Sequence, residues 1–158
     1  KDFATIDSAK MPVVLVAGIY AGGRGMLPLK KFLEENGWPV SLAPEKKNVD
    51  PVPRLAAGLT RRIEKIPAKK VQIVAHSMGG ITALAALQNS KIARKVDRVI
   101  ALGSPLRGCT LGSLAVFEKN QKWLAADSPE LKKLTANPKL NRKFFAGGRA
   151  ATRGVILF

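Results

Sequence analysis

Short apolar runs alternate along the chain with longer segments in which apolar residues recur at helical spacing. Four runs predict strands, at residues 13–17, 40–43, 71–75 and 98–102. The segments between them predict helices at about residues 26–36, 52–66 and 79–88. Strands that alternate with helices are typical of a mostly parallel sheet with helices on both faces, so the pattern predicts an α/β fold.

The pattern changes after Gly103. Short amphipathic segments follow, at residues 111–117, 121–125 and 129–136. The last of them has Ser128 in position to act as N-cap and Pro129 at the first helical position. We interpret residues 104–150 as a helical insertion above a sheet edge, within a single domain that spans residues 1–158.

Length and composition indicate one globular domain. The 158 residues are 46% hydrophobic and 24% charged, and the longest apolar runs are far shorter than the roughly 20 residues that span a bilayer. Residues 1–10 carry no apolar segment of the kind that a signal peptide needs. We expect a secreted protein whose signal peptide has been removed, with a cytoplasmic protein as the alternative. Cys109 is the only cysteine, so no intrachain disulfide can form.

The chain is strongly basic, with 27 Lys and Arg against 11 Asp and Glu and a net charge of +16. Such a field attracts anionic partners, including an acidic membrane or lipid surface. The basic residues are dispersed over several predicted elements, which favours a solvated basic surface as the simpler interpretation. No nucleic-acid-binding module is present, so a specific nucleic-acid partner is not predicted. The oligomeric state is left open.

The most informative segment places Ser77 between a predicted strand and a predicted helix, with Ala75 two residues before it and Gly79 two residues after it. A tight strand-to-helix turn needs small residues there, because the strained backbone brings neighbouring chain close to the serine. The N-terminal end of the following helix then directs N–H groups to the same place. The alternative interpretation is an ordinary serine at a helix start.

The first predicted strand opens into a glycine-rich loop, residues 18–25, upstream of this turn. A phosphate-binding turn is the alternative interpretation of such a loop. Neither the G-x-G-x-x-G pattern nor the P-loop lysine pattern is present, so no cofactor is predicted, and no metal site is predicted either.

Three segments together resemble bacterial lipases and esterases of the α/β-hydrolase superfamily, over roughly residues 11–110. They are Ala-His-Ser-Met-Gly-Gly at 75–80, the strand and loop at 13–23, and Leu-Gly-Ser-Pro-Leu-Arg-Gly at 102–108. The resemblance implies an α/β-hydrolase fold in which Ser77 is acylated and the backbone N–H groups of Ile19 and Met78 form the oxyanion hole. It also implies a lid or cap after Gly108. Tyr20 and Leu106 are candidates for the substrate pocket.

The sequence departs from this family at two places. Ala17 and Gly18 stand where the family usually has His-Gly. The larger departure is the absence of a triad histidine and its acid after Ser77, since the only histidine is His76. We expect His76 to be a buried residue of the turn with its side chain directed away from the reacting side of Ser77.

Three explanations of the missing base stay open: a chain that lacks its C-terminal strands, a non-catalytic module, or an unusual base. Residues 155–158 predict a buried strand with no turn or cap after it, which favours the first. The carboxylates available for the third are Asp127, Glu118 and Glu130. Cys109 has no histidine to activate it and is expected to be an unreactive thiol.

The leading hypothesis is a carboxylic-ester hydrolase, lipase-like, that acts on triacylglycerols or other acyl esters through an acyl-enzyme at Ser77. The lipase preference depends on the resemblance and on apolar residues of the insertion, whose alternative role is core packing: Leu111, Leu114, Val116, Phe117, Trp123 and Leu124. The second hypothesis is a non-catalytic module of the same fold that binds acyl chains or anionic surfaces.

Overall fold

The computed structural model describes residues 10–20, 22–43, 50–109, 120–125 and 128–144. Two predicted elements, the helix at 111–117 and the strand at 155–158, lie outside the described residues. The same is true of two of the three candidate carboxylates, Glu118 and Asp127.

Four parallel strands form the sheet: β1 (Val13–Val16), β2 (Val40–Ala43), β3 (Val71–His76) and β4 (Val96–Leu102). Their order is β2-β1-β3-β4. Each link in this order is parallel, so consecutive strands are joined by crossovers that carry helices. The four strands predicted within the described residues, and their parallel arrangement, are confirmed.

Seven helices accompany the sheet in the described part of the chain: α1 (Leu27–Glu35), α2 (Val52–Lys65), α3 (Met78–Ala86), α4 (Ser90–Lys95), α5 (Gln121–Leu124), α6 (Pro129–Thr135) and α7 (Pro138–Phe144). A short 3₁₀ helix, Gly22–Met26, precedes α1. Gly37, which follows the C-cap residue Asn36 of α1, has φ +78°, the left-handed conformation that favours glycine at this position. None of the described helices is both long and apolar enough to cross a membrane.

The two faces of the sheet carry separate apolar clusters, as period-2 alternation requires. Val14, Val16 and Ile73 point into the larger cluster, which contains residues of α2, α3 and α6. Val13 and Leu15 point into the smaller cluster on the other face, which α1 covers. Helices therefore cover both faces, and the core surrounds β1 and β3.

The described part of the predicted insertion packs on the body of the domain. Helix α6 contacts α3, and α7 contacts β4. The side chains of Leu131, Leu134 and Leu140 belong to the larger core cluster. Ser128 caps α6 by accepting a hydrogen bond from the Leu131 N–H at 3.1 Å, as predicted. A lid function for this insertion stays a prediction.

Asn120 ties this region to α2. Its Oδ1 accepts a hydrogen bond from the Val52 N–H at 2.9 Å, and its Nδ2 donates to the carbonyl of Asp50 at 3.2 Å. Asn120 is 1% exposed. The residue at the N-cap of α2, Pro51, makes no side-chain capping bond, so the cap of this helix comes from a distant part of the chain.

Lys143 is expected to make stability depend on pH. Its Nζ donates to the carbonyls of Ala93 and Val96. Burial, and then the charge of Lys70, lower the pKa of Lys143 below its ordinary value of 10.5, although Asp97 opposes the shift. In the pH window between the lowered value and 10.5 the unfolded chain binds more protons, so this group's contribution to stability rises with pH through that window.

The measurement is urea unfolding of the wild type and Lys143→Met at about pH 8 and about pH 10. The free energy of unfolding of the wild type, relative to that of the variant, should be higher at about pH 10 than at about pH 8. The exposed Lys91→Met is the control and should show no such shift. A pH-independent difference for Lys143→Met would contradict the assignment.

Candidate active site

Ser77 occupies the single residue between β3 and α3. Its backbone has φ +53° and ψ −128°, a conformation that L side chains rarely adopt. Among the described residues, Tyr20 is the only other non-glycine with positive φ. The Ser77 N–H donates to the Leu102 carbonyl at 2.9 Å, and its own carbonyl accepts from the Gly80 N–H at 3.1 Å. The turn that the sequence predicted is therefore present, and the strained residue is held by hydrogen bonds on both sides.

Close packing of α3 against β1 explains the small residues after Ser77. A Cβ atom on Gly79 would lie 2.4 Å from the Val16 carbonyl oxygen and 3.0 Å from that of Ala17. A Cβ atom on Gly80 would lie 2.3 Å from the Ser104 hydroxyl oxygen. The first turn of α3 thus packs directly against the backbone of β1 and against Ser104, two residues after β4.

The glycine-rich loop after β1 lies beside the nucleophile candidate. A Cβ atom on Gly18 would lie 2.9 Å from the Cβ of Ser77 and 3.2 Å from the carbonyl oxygen of His76. Two distant stretches of sequence therefore meet at Ser77. Ile19 follows Gly18 directly and is half-buried, whereas Tyr20 is 50% exposed with φ +61°.

Met78 begins α3, and its side chain is fully buried. The N–H groups of the first helical turn have no intrahelical partner, and the helix dipole places partial positive charge there. Negative charge that develops next to Ser77 would therefore be stabilised by this helix end. The assignment of the Met78 and Ile19 N–H groups as oxyanion donors stays a prediction.

His76 is exposed, so the prediction that it is buried is wrong. The reason is strand alternation: Val71, Ile73 and Ala75 point into the larger core cluster, which leaves His76 on the opposite face at the carboxyl end of the strand. No described helix buries that position. The imidazole Nδ1 would lie 3.3 Å from a Cβ atom on Gly18, so the ring borders the loop after β1.

The two candidates for the substrate pocket have different surroundings. Leu106 is 5% exposed and lines a cavity of about 230 Å³ together with Leu131 and Thr135 of α6. Tyr20 is not among the residues that line this cavity. The structure thus places Leu106 against α6 and leaves Tyr20 exposed in the loop after β1.

Two further candidate groups from the sequence, the Cys109 thiol and the Glu130 carboxylate, are among the described residues. The Cys109 thiol is free and half-buried, and its backbone N–H donates to the Leu124 carbonyl at 2.8 Å. The Glu130 carboxylate, in the first turn of α6, accepts a hydrogen bond from the Ser128 hydroxyl at 3.3 Å.

Ser104 was not predicted as part of the site. Its Oγ is buried and has no hydrogen-bond partner among the described residues, and it lies against Gly80. The signal that could have identified Ser104 is its position two residues after β4, because the carboxyl ends of parallel strands meet at one edge of the sheet.

The parallel sheet, the positive-φ serine between β3 and α3, and the glycine loop beside it define the α/β-hydrolase fold, and the fold prediction is confirmed. The family model of the PGAP1-like alpha/beta domain matches residues 59–135, which include β3, Ser77 and β4.

Solved structures with the same fold include lipases and carboxylesterases. The chain is similar to the mature form of a Bacillus licheniformis lipase (24% identity, TM-score 0.73), with 88% of this chain and 65% of that chain covered. It is also similar to Aspergillus fumigatus lipase B (16% identity, TM-score 0.66, 86% and 36% covered) and to a Nitrososphaera gargenis carboxylesterase (23% identity, TM-score 0.52, 66% and 41% covered). The chain thus spans less than two thirds of the length of each of these proteins.

Proposed function

We propose that these residues carry the nucleophile side of a carboxylic-ester hydrolase of lipase or carboxylesterase type. The observation that carries the proposal is the backbone of Ser77, held at φ +53° between β3 and the N-terminus of α3. Such strain persists only where the surrounding structure enforces it, and it presents a serine hydroxyl at the end of a sheet in this fold. The similarity to lipases and carboxylesterases supports the same class of reaction.

In the proposed reaction, Ser77 Oγ attacks the acyl carbonyl carbon of an ester. The carbonyl oxygen becomes negatively charged, and the N–H groups of Met78 and Ile19 donate hydrogen bonds to it. Collapse of this intermediate breaks the bond to the alcohol, which takes the proton that the base removed from Ser77 Oγ, and leaves an acyl-serine. Water, deprotonated by the same base, then hydrolyses the acyl-serine to the free acid, and the proton returns to Ser77 Oγ. Removal of one backbone donor in such a site typically costs about 10²–10³ in rate.

A base must accept the proton of Ser77 Oγ, because a serine hydroxyl is a weak nucleophile without one. In this fold the base is a histidine that follows the nucleophile along the chain. The only histidine in these 158 residues, His76, precedes it. The proposal therefore requires a base and its acid partner from outside these residues.

The proposed substrates are acyl esters or lipids. Tyr20 and Leu106 remain the proposed contacts to the acyl chain. The alternative, a non-catalytic module of the same fold, is the less favoured, because the structures it resembles are lipases and carboxylesterases.

The test is labelling of the intact protein with a fluorophosphonate, which phosphonylates activated serines. We expect one labelled site that is lost in Ser77→Ala. Ser90→Ala is the matched control, since Ser90 is also at a helix start but is exposed and is not needed as a cap, a role that Asn89 fills. Labelling of Ser77→Ala at the wild-type level would contradict the proposal, as would an absence of labelling in the wild type.

A further inference from the structure

A groove runs along α2 beside the carboxyl ends of β1 and β2. One cavity, of about 380 Å³, is lined by residues of α2, by Val16 and by Ala43. A second cavity, of about 360 Å³, shares Gly58, Arg61 and Arg62 with the first. We call the two together the α2 groove. Each cavity is within the range of small-ligand sites, about 300–1,000 Å³.

The floor of the α2 groove is apolar. The side chains that line it from below include Val16, Ala43 and Leu59, and each of them is buried. Apolar surface of this kind gains free energy when an apolar group displaces water from it. The floor therefore favours a hydrocarbon part in any ligand.

The rim of the α2 groove is cationic. Arg54, Arg61 and Arg62 line the first cavity, and Lys65 joins Arg61 and Arg62 around the second. The one carboxylate among the lining residues belongs to Asp50, whose Oδ1 lies 3.6 Å from Nη1 of Arg54. The positive charges outnumber the negative one, and guanidinium groups bind carboxylates and phosphates with two parallel hydrogen bonds.

Thr82 adds a polar group inside the groove. The residue is on α3, is 1% exposed, and lines the larger cavity. Its Oγ1 is buried and has no hydrogen-bond partner among the described residues. Burial of a hydroxyl without a partner is unfavourable. A ligand oxygen in the cavity would satisfy it.

Gly58 keeps the groove open. It is in the interior of α2, where glycine is less favourable than alanine by roughly 0.5–1 kcal/mol. Its backbone does not require glycine, because the nearest atom to an added Cβ is Arg61 Nη2 at 4.0 Å. A larger side chain would therefore extend into the groove without a backbone clash.

From these four features we infer that the α2 groove binds an amphiphilic anion, a molecule with a carboxylate or phosphate head and an apolar chain. The arginines take the head, Thr82 donates to or accepts from one of its oxygens, and the apolar floor takes the chain. Ser77 does not line either cavity of the α2 groove, and the proposal goes beyond ester hydrolysis and does not depend on it.

The test is calorimetric titration of the intact protein with monomeric dodecanoate and monomeric dodecyl phosphate. The double variant Arg61→Ala/Arg62→Ala should weaken binding by at least about tenfold, because charge-assisted hydrogen bonds are lost. The control Lys69→Ala/Lys91→Ala removes the same charge from exposed positions outside the groove. It should stay within about twofold of the wild type, since long-range steering alone changes affinity little.

Two further variants test the floor and the buried hydroxyl. Gly58→Met should weaken binding of both dodecyl compounds by about tenfold by filling the groove, whereas Gly58→Ala should change it by about twofold or less. Thr82→Val keeps the shape of the side chain and should weaken binding by about fivefold. Thermal melts of every variant confirm that a loss of binding is not a loss of fold.

Three further titrations, with a cationic amphiphile, with inorganic phosphate and with anionic vesicles, separate the contributions of the anionic head, the apolar chain and a membrane surface. Dodecyltrimethylammonium should not bind, and inorganic phosphate should bind at least about tenfold more weakly than dodecyl phosphate. Equal binding of either would overturn the proposal. So would wild-type affinity in Arg61→Ala/Arg62→Ala, or binding only to vesicles that contain phosphatidylglycerol, which would assign the charge to a membrane surface instead. A failure of serine labelling would leave all these outcomes unchanged.

Discussion

Replacement of Ser77 by glycine is expected to abolish fluorophosphonate labelling and to raise the free energy of unfolding by about 1 kcal/mol. Strained conformations such as φ +53°, ψ −128° cost about 1–3 kcal/mol in a residue with a Cβ atom. Glycine adopts positive φ readily but loses more backbone entropy on folding, roughly 0.5–1 kcal/mol, which offsets part of the gain. The measurements are labelling and urea unfolding of the same preparations.

Ser77→Ala separates the two effects, because alanine lacks the hydroxyl and keeps the Cβ atom. It should lose labelling as completely as Ser77→Gly, while its free energy of unfolding should stay within about 0.5 kcal/mol of the wild type. A glycine variant that is no more stable than the alanine variant would show that the turn does not strain Ser77. The structural basis of the proposed function would then be lost.

Replacement of Gly79 by alanine is expected to lower the free energy of unfolding by about 3 kcal/mol, because overpacking against backbone costs at least 1–3 kcal/mol. The added Cβ would lie 2.4 Å from the Val16 carbonyl oxygen, so α3 or β1 must shift. That shift would also displace the Met78 N–H from the site. We expect the labelling rate to fall by about 100-fold, the cost of losing one oxyanion donor.

Gly58→Ala is the matched control for Gly79→Ala, since both add one methyl group to a helix that packs on the sheet. The space at Gly58 is open, so alanine there should stabilise the protein by about 0.5–1 kcal/mol and leave the labelling rate unchanged. Equal effects of the two substitutions would show that helix propensity, and not the contact with β1, determines the result.

Much of the fold could be predicted because its strands are short apolar runs and its longer helices have clear periodicity. Two helices were not predicted. Helix α4 has six residues, of which only Ile92 is buried, so no apolar period develops. Helix α7, Pro138–Phe144, is similarly short, with a sequence of mixed polar and apolar residues. Their helical state depends on tertiary packing and capping, for example on Asn89, whose side chain accepts from the Lys91 N–H.

The turn at Ser77 could be predicted because its requirements are local: small residues on both sides of Ser77 between a strand and a helix. The position of Gly18 beside Ser77 could be proposed only through the resemblance, since nothing local links residues so far apart. The exposure of His76 was predicted wrongly because the strand was predicted to end at Ala75, which placed His76 in the turn. β3 in fact includes His76, and strand alternation directs that side chain away from the larger core cluster. The α2 groove had no local signal, since Thr82 and Arg61 meet only through the packing of α3 on α2.

The cap of α2 has a consequence for the order in which the protein can form during synthesis. The Val52 N–H finds its acceptor in Asn120, 68 residues further along the chain. A ribosome adds residues at about 5–20 per second, so α2 has left the exit tunnel seconds before its cap exists. Until then the Val52 N–H lacks this acceptor, which makes the first turn of α2 less stable in the nascent chain. A nascent chain that stops before residue 120 therefore lacks the hydrogen bond that caps α2, the helix that lines the α2 groove.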